Sequence, residues 1–174
     1  MPLSQPPFPL IPLAANELED SFSLTEVVNS PCSFQLQNQS WYFALLLFKE
    51  ELQTTLATIY IGDKCYLLED ISTFSHASIC IKGAETGRII GYIKRERSKL
   101  NGGGFLSIGQ DTYGWKTRQI HEPVIWLINQ KRQKLFSIAR FNNKVTIQIT
   151  SAGKTDAGLL LLIALCWYLM HLEK

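Results

Sequence analysis

The chain has 174 residues, 46% hydrophobic and 18% charged, enough to bury one sizeable core and too few for two comfortable domains. Its formal net charge of +2 argues against a dedicated nucleic-acid binder, but the charge is uneven: Met1–Ile81 carries 2 basic and 9 acidic residues, Lys82–Lys174 carries 15 and 6. Two surfaces that pair with each other after folding account for this, and an anion-facing surface on the second half is the alternative.

Residues 1–30 read as an arm. Five of the seven prolines lie in the first twelve residues, where they remove backbone donors and fix an extended course, and Glu17, Glu19 and Asp20 follow. The stretch "SFSLTEVVNSP" is expected to hold a short helix, capped by Ser23 or Thr25 and stopped before Pro31. The start has no basic leader and its apolar stretch is broken by proline, so no signal peptide is expected and the default address is cytoplasmic.

From residue 31 the punctuation is that of a sheet. "SFQLQ" alternates apolar and polar residues, and "WYFALLLF" reads as a strand buried on both faces, with a helix as the alternative. Two runs around Gly62-Asp63-Lys64 form a hairpin, and two more flank a turn at Gly83 to Gly87. The glycines of "NGGGFLSIG" are read as a flexible loop before a strand that begins at Phe105. "TYGWKTRQI", "VIWLINQKRQKLFSIARF" and "NKVTIQIT" complete a meander with turns at Asn129 to Gln133 and Asn142-Asn143. About ten residues per strand is the spacing of an all-β sandwich or barrel.

The last segment is helical. Asp156 or Thr155 caps it, and Ala157 to Leu172 holds no Asp, Glu, Lys, Arg or proline. A helix apolar all round needs apolar material on every side. The run lies at or just under the lower edge of a bilayer span, so the expected place is the core of the domain, with a tail-anchored membrane protein using helix 157–172 as the alternative.

A meander followed by one all-apolar C-terminal helix resembles the tubby-like, LURP-one-related and phospholipid scramblase superfamily. The residues that carry the likeness are "YGWK" at 113–116, "WLINQKRQKLFSIARF" at 126–141, "VTIQIT" at 145–150 and "GLLLLIALCWYLM" at 158–170, with "RIIGYIKR" earlier in the same order. They are similar to a fungal branch of that clan in which a Trp-Lys strand precedes a strand ending in an Ala-Arg-Phe-like triplet. The resemblance implies a mainly β, twelve-stranded antiparallel barrel of tubby-like type, here residues 31–174, wrapped around the C-terminal apolar helix. It also implies phosphoinositide-like membrane lipid as ligand, but no basic motif of the tubby type and no acidic calcium loop of the scramblase type aligns with these residues.

The candidate ligand-binding surface is "KRERSKLNGGG". Lys94, Arg95, Arg97 and Lys99 fall within six positions with only Glu96 opposing them, and backbone amides of the glycines can approach an anion. Lys116 and Arg118, alternating on one strand face beside Trp115, extend it if neighbouring strands bring them near Lys94. The plain alternative is a solvated strand end whose charges protect a sheet edge. An anionic membrane surface or a protein partner is the expected target, with no specific nucleic acid. No cofactor and no metal is expected: Cys32, Cys65, Cys80 and Cys166 are far apart, His76, His121 and His171 are isolated, and no nucleophile elbow, zinc-protease pair or phosphate loop is present. The reading is therefore non-enzymatic.

Overall fold

The computed structural model describes residues 10, 22–26, 33–37, 42–48, 55–72, 78–96, 102–118, 123–141 and 144–172. The strands are β1 (Phe22–Glu26), β2 (Ser33–Gln37), β3 (Tyr42–Phe48), β4 (Thr55–Ile61), β5 (Lys64–Asp70), β6 (Ser78–Gly83), β7 (Ile89–Glu96), β8 (Gly103–Ile108), β9 (Asp111–Arg118), β10 (Val124–Ile128), β11 (Lys134–Phe141) and β12 (Lys144–Ile149). Two helices follow, α1 (Ser151–Lys154) and α2 (Leu159–Leu172). Consecutive strands pair antiparallel throughout, and the hydrogen-bonded order is β1-β12-β11-β10-β9-β8-β7-β6-β5-β4-β3-β2.

This arrangement corrects the expected tubby-like barrel of residues 31–174. The ten strands β3 to β12 form an antiparallel sheet that does not close on itself, because β3 and β12 are not partners. The ring of hydrogen bonds is completed only through β2 and β1, and β1 comes from the segment assigned to the arm and read as a helix. The reason lies in pairing. "FSLTE" alternates as a strand does, and β1 lies between β2 and β12, each of which would otherwise present an edge of unpaired backbone groups. The join to β12 is short, Phe22 opposite Ile147 and Ser23 opposite Thr146.

The hairpins explain themselves locally. Gly62 takes φ +56° in the two-residue turn that sets Ile61 opposite Lys64, where an L side chain would be strained. Across the next pair the Lys82 ammonium meets the Glu69 carboxylate, an ion pair joining the acidic and basic halves of the sequence. The glycine loop is a second correction: Gly103 and Gly104 sit inside β8. A Cβ on Gly104 would stand 2.0 Å from the Lys94 carbonyl oxygen and 3.0 Å from the Trp115 ring, so the missing side chain permits a close backbone approach.

The core is built around α2. Every residue from Leu159 to Met170 is buried, and the helix packs mainly against β3, β4, β10 and β11. Asp156 starts it, Oδ1 accepting from the Gly158 amide at 2.9 Å, which is the cap that the sequence suggested. Thr150 caps α1 in the same manner, accepting from Gly153 N, and also donates to the Leu135 carbonyl of β11. With 14 residues, α2 is shorter than the expected 157–172, and no helix among the described residues is long and apolar enough to cross a membrane. No described helix therefore supports the anchor reading.

Two glycines of the sheet are expected to respond oppositely. Gly104→Ala forces a backbone shift and is expected to cost about 1–3 kcal/mol. Gly114, in mid-strand with nothing within 4 Å of a Cβ, should accept alanine with a change within about 0.5 kcal/mol or a gain, by chemical denaturation. A chain beginning at Ser33 lacks β1, leaving the β2 and β12 edges unpaired. It is expected to self-associate by size exclusion under conditions where the full chain does not.

Candidate functional site

Strand alternation sorts the predicted basic cluster. Lys94 and Arg95 are adjacent on β7 and therefore face opposite sides of the sheet. Lys94 stands on the outer face opposite Phe105 of β8, whereas Arg95 pairs with Gly104 on the inner row that continues to Trp115. Arg95, at the end of the strand, lies close enough to the phenol of Tyr168 on α2 to act on its ionisation. It belongs to the helix end rather than to the outer patch. Arg97 and Lys99 lie outside the described residues.

Lys116 and Arg118 do join Lys94. On the outer face one cross-strand row runs Glu96, Gly103, Lys116, Trp126, Ser137, Gln148, and the next runs Lys94, Phe105, Gly114, Ile128. Arg118 lies two residues along β9 from Lys116, opposite Val124. Lys94, Lys116 and Arg118 are exposed. Between Phe105 on β8 and Trp126 on β10, strands about 9.6 Å apart at ordinary spacing, the side-chain-free Gly114 leaves a groove of about 500 Å³. Phe105 is 49% exposed, Trp126 is half-buried, and Tyr92, also outward on β7, is 38% exposed.

The aromatics of β9 and β10 are divided between the two sides of the sheet. Tyr113 and Trp115 are buried on the inner side, and Trp126 alone faces out. The Trp115 indole N–H has no hydrogen-bond partner among the described residues. Glu69 and Asp70 are used structurally: Glu69 in the ion pair with Lys82, and Asp70 beside Ser72, whose hydroxyl first and then its amide, at 2.7 Å from Oδ1, hold the Asp70 carboxyl below its usual pKa. Among the described residues no three His, Cys, Asp or Glu side chains are grouped to hold a metal ion, and Cys80 and Cys166 are free thiols.

A second concavity, unmarked in the sequence, lies at the end of the sheet where the short hairpin turns meet the start of α2. It has a volume of about 1,070 Å³. Tyr113 of β9 donates to Asp156 Oδ2 there at 3.2 Å. Burial first, then the nearby Asp156 and Asp111 carboxylates, push the Tyr113 pKa well above the usual phenol value. Tyr66 is raised by burial and by Asp63. At the far end of α2 burial also raises Tyr168, with Asp70 adding to the shift and Arg95 opposing it. No contiguous sequence motif marks the cavity, because its lining comes from four separate turns.

No family model, no curated protein and no solved structure matches this chain. These comparisons support neither a tubby-like assignment nor a phosphoinositide ligand.

Because the folded state holds Tyr113 and Tyr168 protonated, their contribution to stability is present below the ordinary phenol pKa of about 10 and is lost as pH rises beyond it. An alkaline titration followed at 295 nm is expected to show phenols that ionise only above that range or together with unfolding. Tyr113→Phe should remove part of the late step, and ionisation of both groups at ordinary values would show that they are not held in the environments described.

Proposed function

We propose that the chain is a non-enzymatic binding domain that docks peripherally on an anionic membrane surface through the outer face of β7 to β10. The observation that carries this reading is the joining of Lys94, Lys116 and Arg118 with Tyr92, Phe105 and Trp126 on one face by the antiparallel register. Cations near an anionic surface contribute about 1 kcal/mol each, and amphipathic aromatic rings suit the headgroup layer. Glu96, exposed on the same face, subtracts from the attraction. The ion pair between Lys82 and Glu69 leaves this face untouched, since it lies on β5 and β6.

Sedimentation with vesicles tests the reading. Vesicles of phosphatidylcholine with phosphatidylserine are expected to retain the protein, and those of phosphatidylcholine alone to retain far less. Replacing Lys94, Lys116 and Arg118 with Gln should weaken binding about a hundredfold, the equivalent of about 3 kcal/mol. Raised salt should act in the same direction. Undiminished binding by the triple variant, or equal binding to neutral vesicles, would overturn the proposal.

A further inference from the structure

The cavity at the turn end plays no part in the outer-face proposal. It exists because α2 packs mainly against β3, β4, β10 and β11, while the turns of β4–β5, β8–β9 and β10–β11 stand around its first turn. Leu160 and Leu161 of α2, with Ile90, Ile108 and Leu135 from the strands, supply an apolar floor. Its volume of about 1,070 Å³ lies at the upper end of the range for small-molecule sites, roughly 300–1,000 Å³.

We infer that this cavity binds a single-chain organic amphiphile with a substituted ammonium head, the chain lying on Leu160 and Leu161 and the head between Tyr66, Tyr113 and Asp156. The sign of the head follows from the charges and where they stand. Asp63 and Asp111 are exposed carboxylates beside Tyr66 and Tyr113, and Lys64 and Lys131 are exposed ammonium groups on hairpin turns, where water screens all four. Asp156 is half-buried and fixed by two hydrogen bonds, from Tyr113 Oη to Oδ2 and from the Gly158 amide to Oδ1. The start of α2 contributes the equivalent of about +0.5 charge, so with the full negative charge of Asp156 the inner end stays negative. The Tyr113 ring beside that carboxylate, and the Tyr66 ring in the lining of the same cavity, offer a cation further attraction through their faces.

The test is calorimetric titration of the full chain with three probes kept below their micelle concentrations: octyltrimethylammonium, octyl sulfate and octyl glucoside. The ammonium probe is expected to bind at least tenfold more tightly than the other two. Asp156→Asn keeps an oxygen for the Gly158 amide and asparagine caps as well as aspartate, so the fold should persist while the preference for ammonium over glucoside falls about tenfold. If circular dichroism shows that variant to be unfolded, Ala157→Lys, which sets an ammonium at an exposed lining position next to Asp156, reads the same preference, which should fall. Equal binding of all three probes, tighter binding of the sulfate, or no binding at all would overturn the inference. None of these outcomes bears on vesicle binding by the outer face, which the Lys94, Lys116 and Arg118 variant reads separately.

Discussion

The constraint on which the fold depends is the need of α2 for apolar contact on every side. An amphipathic helix can lie on a sheet and leave one face to water, but Leu159 to Met170 offers no polar stripe, and all twelve residues are buried. Each fully buried leucine gains roughly 1.5–3 kcal/mol relative to exposure, a gain that is lost wherever the surround fails. The sheet therefore has to curve around the helix. The same demand accounts for close approaches at glycines: Gly91 against the Ser107 carbonyl, Gly104 against Lys94 and Gly153 against Leu135, where an added Cβ would fall between 2.0 and 2.2 Å from the facing oxygen.

Much of this was legible in the sequence, and what was not has physical causes. The hairpins at Gly62 and at Gly83 to Gly87, and the capped apolar helix, follow from short-range rules that act within a few residues. β1 did not, because "SFSLTEVVNSP" satisfies a capped helix locally, and only its partners β2 and β12, distant in sequence, make it a strand. The same applies to Gly103 and Gly104, whose place in β8 depends on the neighbouring strands. Of the six candidate basic residues, the register gathers Lys94, Lys116 and Arg118, turns Arg95 toward the helix end, and leaves Arg97 and Lys99 outside the described residues. Clustering along the sequence was thus a poor guide to clustering in space, because adjacent strand residues face opposite ways.

Two different surfaces result. The outer face of β7 to β10 combines free positive charge with aromatic area around the bare backbone of Gly114, and its chemistry is that of a broad, salt-sensitive contact. The end cavity combines an apolar floor with a fixed carboxylate and two phenols, which suits a single small molecule. They share β9: Tyr113 lines the end cavity, whereas Lys116 and Arg118 stand on the outer face.

The β1–β12 pairing joins positions 22 and 147, which are 125 apart in the chain, and α2 follows β12. Loop closure over such a separation is a late event, and a topology rich in distant pairings folds slowly. On the ribosome, β1 therefore has to wait while ten strands are made before its second partner emerges, and the apolar lining has to wait longer still for the helix that covers it. For that interval the nascent chain offers two free sheet edges and an unfilled interior, the kind of surface that chaperones recognise. In the native state these same surfaces are removed by the first strand and the last helix.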